Sequence, residues 1–214
     1  MIDSILSQNT FQKIYKKIPK NSFENSAHDF EHSLRVAKNA IEISKYEGGD
    51  TQVLVIAALL HDIKNLDKND PESYKSSQLS CQKSKEILTS IKYPEEKLAL
   101  VLDAILCHSF SAGFTPQTLE GKIFQDADRL DALGAIGIAR LFATSATFDS
   151  KLYSHKDPFL KHGRQPNDKK FAVDHFFAKI FKIPELMQTK TGKNIAEKRV
   201  IFMKEYLKIL ESEV

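Results

Sequence analysis

Apolar positions recur at intervals near 3.6 residues along almost the whole chain, with no sustained strict alternation and no repeat of fixed length, a pattern that predicts an all-α fold. A first helix is expected over 5–18, ending near Pro19 and followed by the turn-like KNSFENSA. A second begins near His28 and carries Leu34, Val36, Ala37, Ala40, Ile41 and Ile43 to a stop at Gly48-Gly49. Asp50 reads as the N-cap of a third helix in which Val53 to Leu60 are apolar on every face, so this helix is central and buried. After a polar loop over 64–73, helices are expected over 74–91 and 95–108, separated by Pro94, and then a second loop over 110–118. Residues 119–144 read as helical with room for a break, holding Gly134 and Gly137 in the interior. Segment 151–170 loses periodicity and collects Lys, His and Pro, as a long surface loop does, and helices over 171–181 and 194–213 complete the chain. No linker interrupts this succession, so one domain over 1–214 is expected, with a core over about 27–145 and a C-terminal helical extension over about 171–213.

Composition agrees with the pattern and removes several function classes. Gly and Pro number 8 and 7 in 214 residues, roughly 7% where about 12% is usual, as a helical chain requires. With 42% hydrophobic and 28% charged residues the chain is an ordinary globular one rather than a disordered one. Its longest apolar run, Val53 to Leu60, falls well short of the about 20 residues that span a bilayer. The N-terminal MIDSILSQNT carries Asp3 and lacks a basic-then-apolar export pattern, so a cytoplasmic location is expected. The net charge of +3 is slight and evenly spread, which argues against a nucleic-acid-binding surface and leaves small anionic ligands open. Cys81 and Cys107 are too few and too isolated for a disulfide framework or a thiolate zinc site, and read as small buried apolar residues.

Three segments place polar residues where packing does not ask for them. In HDFEHSLR, His28, His32 and Arg35 share one helical face. His61-Asp62 closes the apolar run VLVIAALL, and a carboxylate buried there needs a metal ion or a basic partner; alternatively the pair simply opens the following loop. In QDADRLDALGAIGIAR, Asp126, Asp128 and Asp131 interrupt a small, apolar helix, with Asp128 and Asp131 on one face; capping and pairing with Arg129 is the plainer role. Gly134 and Gly137 in that helix suggest the close approach of another. Taken together, a His, a His-Asp pair and an Asp on three helices form a mixed nitrogen and oxygen donor set suited to one divalent ion such as Mn²⁺, Fe²⁺, Ni²⁺, Co²⁺ or Mg²⁺.

The order His32, His61-Asp62, Asp128 resembles the HD-domain metal-dependent phosphohydrolases. HDFEHSLRV, AALLHDI, CHS, QDADRLDALGAIGIAR, DHFFAKI and MQTKTGKNIAEKR resemble, more narrowly, a bacterial subgroup of single-domain HD hydrolases, from about Ala27 to the C-terminus. The resemblance implies an all-α HD bundle, metal ligation by His32, His61, Asp62 and Asp128, and nucleotide phosphohydrolysis, with relatives that release pyrophosphate from deoxynucleoside triphosphates. Many relatives carry an acidic residue three positions after the HD aspartate. This chain has Asn65, which can place a water but cannot carry its proton, so Asp67, His28 or His108 is left to do so. Arg35 and Arg129 are candidates to neutralise phosphate charge, Lys179 is a further phosphate contact, and the basic loop with Lys156, Lys161, Arg164, Lys169 and Lys170 is a candidate steering surface. The same chemistry would serve a mononucleotide 5′-phosphatase or a phosphodiesterase, and Asn65 leaves open a slow nucleotide-binding regulator.

Overall fold

The computed structural model describes residue 6 and residues 8–19, 30–66, 70–109 and 113–214. Among these are nine α-helices: α1 (Asn9–Tyr15), α2 (Phe30–Glu47), α3 (Thr51–Leu60), α4 (Ser76–Ser90), α5 (Glu95–Cys107), α6 (Leu119–Leu130), α7 (Gly134–Thr147), α8 (Asp174–Ala178) and α9 (Lys190–Ser212). Short 3-10 turns occupy Ser73–Lys75 and Ile180–Leu186. One bridge pairs Lys151 with Phe171, and no strand occurs among the described residues. The all-α expectation therefore holds. The chain divides into two compact units, 1–128 and 129–214, with the boundary inside α6.

The first unit is organised around α3. Val53 through Leu60 are all buried, as their unbroken apolar run predicts, and α3 packs against α2, α4 and α5. Burying each such Val, Leu or Ile contributes about 1.5–3 kcal/mol. The helix begins where predicted, because the Asp50 carboxylate accepts from the backbone N–H groups of Gln52 (2.9 Å) and Val53 (3.3 Å). Helix α2 ends at the glycine pair: the Gly48 N–H donates to Ser44 O at φ +86, a conformation that a side chain would strain. Pro94 precedes α5 and separates it from α4, also as read.

The second unit refines the sequence reading. The break allowed for in 119–144 falls between Leu130 and Gly134. Helix α6 ends at Leu130, and Leu133 in extended backbone caps α7. Gly134 is thus the first residue of α7, at φ +74, rather than an interior position. A Cβ on Gly137 would lie 2.2 Å from Ala132 O, so this glycine is demanded by the chain's own tight turn; only Gly134, with Arg199 of α9 against it, serves helix approach. Asp131 lies past the end of α6, where it pairs with Arg140 at 2.5 Å. Helix α9 starts at Lys190, earlier than expected, because the Thr189 side chain accepts from Gly192 N. Phe142, Phe176, Phe181 and Tyr206 pack ring against ring to form this unit's aromatic core.

Candidate metal centre

Three helix ends of the first unit supply the polar cluster. His61 caps the C-terminus of α3 and is followed by Asp62, His108 caps the C-terminus of α5, and Asp128 lies in the last turn of α6. His32 comes from the first turn of α2. The end of a helix leaves its last four carbonyls without helical donors and carries a partial negative charge, a setting that attracts cations. Side chains at the site take up several of these carbonyls. The His61 Nδ1–H donates to Ala58 O at 2.8 Å, the His108 Nδ1–H to Ile105 O at 2.7 Å, and Asn39 of α2 to Ala127 O at 3.1 Å.

Those bonds assign the tautomers. With Nδ1 protonated, His61 turns the lone pair of its Nε2 into the cluster. His32 Nε2 lies 3.2 Å from His61 Nε2 and 3.4 Å from Asp128 Oδ1. Asp62 Oδ2 is 3.2 Å from His61 Nε2 and 3.8 Å from His32 Nε2, and His61 Nε2 is 3.9 Å from Asp128 Oδ1. Donors held about 2.1 Å from one ion lie about 3.0 Å apart at right angles and about 4.2 Å apart when opposed, so these separations fit a single divalent ion. The donor chemistry fits as well, since two imidazole nitrogens and two carboxylate oxygens suit a borderline or hard divalent metal. His32 and His61 are buried, Asp62 is nearly so, and Asp128 is the member open to solvent.

Electrostatics follow from the same arrangement. Burial pushes the Asp128 carboxyl up, but the hydrogen bond and charge of His32, then His108 and His61, hold it far below the usual carboxylate range. Burial would lower the His108 pKa, whereas Asp62, with Oδ1 3.6 Å from Nε2, and then Asp128 keep it above the ordinary imidazole value. The His61 ring meets His108 edge-on at 4.9 Å and Phe124 at 5.5 Å, so an apolar wall backs the donors.

The other sequence candidates are placed as follows. Arg35 is half-buried on α2, one turn beyond His32. Asn65 is exposed, on a segment tied to α4 by Ser80, which accepts from Lys64 N, and Ser76, which accepts from Leu66 N. His28 and Asp67 lie outside the described residues. Arg129 and Lys179 belong to the second unit, where Arg129 donates to Leu186 O and Lys179 pairs with Asp168 at 3.0 Å. Two cations of the basic loop are engaged within the second unit: Arg164 grips Asp174 of α8 with two bonds, and Lys161 pairs with Glu211 of α9. Cys107 is buried, as read, whereas Cys81 is only half-buried; burial pushes the Cys107 thiol up to about 12, aided by Asp103, and raises Cys81. Asn39, Asp103 and Gln125 were not singled out from the sequence; each acts on backbone groups distant along the chain, and no spacing of residue types announces that.

Residues 29–133 match the family model of the HD domain. The uncharacterized protein YpgQ of Bacillus subtilis (strain 168) is 33% identical over 195 residues, which cover 89% of this chain and 86% of that protein. The crystal structure of Bacillus subtilis YpgQ in complex with ADP matches with a TM-score of 0.69 and 29% identity, over 95% of this chain and 93% of that one. An HD-superfamily hydrolase from Bacillus thuringiensis matches with a TM-score of 0.70 and 33% identity, over 94% of this chain and 96% of that one.

Proposed function

The chain belongs to the HD-domain family, and from that premise we propose that it is a divalent-metal-dependent phosphohydrolase acting on nucleotides, cleaving (deoxy)nucleoside triphosphates to monophosphate and pyrophosphate. The observation that carries the reading is the convergence of two imidazole nitrogens and two carboxylates, in contacts of 3.2–3.9 Å, from two helix C-termini and the first turn of α2. His32, His61, Asp62 and Asp128 would hold the ion. A divalent ion there would supply Lewis acidity, lowering the pKa of a water toward neutrality and offsetting phosphate charge.

The chain's own groups do the rest. Ala58 O fixes the His61 ring so that its Nε2 remains a donor, and Asn39 anchors the backbone next to Asp128. His108, buried beside Asp62 with a raised pKa, is suited to hold a proton and deliver it to the departing phosphate oxygen. That assigns to His108 the proton handling that Asn65, an exposed amide, does not perform. Arg35, half-buried one turn beyond His32 on the same helix, is the cation proposed for the phosphate side. The ADP bound by the Bacillus subtilis relative supports a nucleotide as ligand. Likeness in HDFEHSLRV, AALLHDI and QDADRLDALGAIGIAR to a subgroup in which some members release pyrophosphate supports the triphosphate.

Purified protein is assayed with Mn²⁺, Ni²⁺, Co²⁺ and Mg²⁺ against nucleoside tri-, di- and monophosphates, reading phosphate and pyrophosphate separately. Pyrophosphate from triphosphates is expected. Phosphate from monophosphates would replace this reading by a 5′-phosphatase, and nucleotide binding without turnover in any metal would replace it by a sensor.

A further inference from the structure

Helix α5 delivers His108 to the cluster from its very end, where the backbone is least constrained by the helix's own hydrogen bonds. The carbonyl just before His108 is that of Cys107, a buried residue and the last of the helix. It accepts from the Gln125 side-chain amide of α6, at 2.6 Å. Gln125 itself is 2% exposed. Its orientation is fixed by that bond, because the flipped amide would set oxygen against oxygen. In this orientation Oε1 is buried and meets no donor among the described residues. A buried amide with one end unsatisfied costs stability that an apolar side chain of equal length would not, so packing alone does not account for a glutamine at this position.

Its neighbours show what the bond holds. Phe124 sets its ring against both His61 and His108, and Asp128, one turn on, joins the donor set. Helix α6 thus touches the site at three places, and Gln125 is the one that grips α5. The other end of the α5–α6 connection is tied separately. Asp103, one turn before Cys107, accepts from Thr118 N at 3.0 Å and Thr118 Oγ1 at 2.6 Å, at the start of α6. Gly121 leaves room for this clasp, since a Cβ there would lie 2.3 Å from Asp103 Oδ2. With the loop closed at its base by Asp103, the Gln125 bond sets the direction of the Cys107–His108 peptide and so the reach of the imidazole toward Asp62.

We infer that Gln125 is the positioning residue for His108, locking it against Asp62 through the Cys107 carbonyl. The inference rests on the reading of His108 as the proton-handling group, and its test includes a measurement independent of turnover.

The experiment compares Gln125→Met with the parent in the full chain, each with and without His108→Ala. In nitrogen-15 spectra of the metal-free protein, Gln125→Met is expected to displace the His108 imidazole signals more than those of His32. In turnover, kcat is expected to fall about 10–100-fold, the usual loss when a group orienting a site residue is removed, with KM and metal affinity unchanged. In the His108→Ala background the same substitution is expected to cost nothing further. Unmoved His108 signals, an equal loss in both backgrounds, or a loss of metal affinity in step with kcat would overturn the inference. If the parent hydrolyses no nucleotide, the functional reading fails and the imidazole spectrum alone decides the positioning role. Gln125→Leu repeats the test if Gln125→Met does not fold, and failure of both to fold overturns the inference in favour of a purely structural residue.

Discussion

Asp174 in the second unit and Asp62 in the first are both withdrawn from solvent, yet the chain surrounds them with opposite chemistry. Asp174 accepts two bonds from the Arg164 guanidinium (2.6 and 2.8 Å) and a third from Asn167 N at 2.6 Å. Arg164 lies over the Phe171 ring and donates to Asp157 O, while the Asp157 carboxylate accepts from Lys161 N and His162 N. Every charge in that knot is answered from within, so a long loop with little regular structure is held by its own ions. Asp62 instead faces the imidazoles of His61 and His108, whose Nδ1 atoms are already engaged, and Asp128 faces His32, with Asp62, His108 and Asp128 at the negative ends of three helices. One set completes the fold; the other could hold a cation from outside. Burial of an aspartate is therefore no sign of function by itself, and the helix end on which it sits is the informative feature.

The largest effect that would break this contrast is at the cluster. His61→Ala should abolish stoichiometric metal, read by elemental analysis of the purified protein, and lower nucleotide turnover by at least about 10³-fold. The parent, held at about 100 times the metal dissociation constant, should gain about 2.7 kcal/mol of stability from the ion, and the variant none of it. Retention of metal and turnover in His61→Ala would place the centre elsewhere.

At the knot the ranking inverts. Asp174→Ala leaves Arg164 without its carboxylate and should lower unfolding stability by about 3–5 kcal/mol in urea titrations. The metal-induced gain in stability and the turnover per folded molecule should both survive. If Asp174→Ala removed metal binding while the protein remained folded, the two regions would not be separable in the way their chemistry suggests.

The sequence made these two regions unequally legible. His61-Asp62 stood out because two polar residues end an apolar run, a contradiction visible within a single helix. The knot looked like a solvated basic loop, since the carboxylate that binds Arg164 lies ten positions away, beyond any helical or strand period. Gly48-Gly49 and Pro94 marked helix ends correctly because they act on their own backbone. The break after Leu130 was not located, because Asp131 repeats the helical spacing of Asp128 and Gly134 reads as an interior glycine until its φ of +74 is known. Asp131 was accordingly put on one face with Asp128, a placement that requires a helix which has already ended. Gln125 escaped notice for a related reason: its partner is a backbone carbonyl, and the residue type at position 107 says nothing about it.

Asp50 provides the finest test, because it is an aspartate at the opposite kind of helix end. At the N-terminus of α3 it is answered by backbone N–H groups and by Lys97 at 2.7 Å, so no external cation is called for. Burial works to raise its pKa, but the Lys97 bond and the Val53 and Gln52 N–H groups prevail and hold it below the ordinary value of 3.8. A carboxyl lowered in the folded state contributes stability that is fully present above the unfolded value and is lost as the pH falls through the folded one. Asp50→Asn keeps the capping oxygen and deletes only the charge, so at neutral pH it should cost about 0.2–1 kcal/mol, the usual worth of a partly exposed ion pair. That difference from the parent should shrink as the pH falls below 3.8 and vanish once Asp50 is protonated in the folded chain, as urea titrations at a series of pH values would record. A gap that stayed constant down to the acid limit would mean that it does not come from the carboxylate's charge. The charge at this end would then be idle, and the polarity of the helix would no longer explain why one aspartate is answered by the chain while the pair at the cluster could hold an ion.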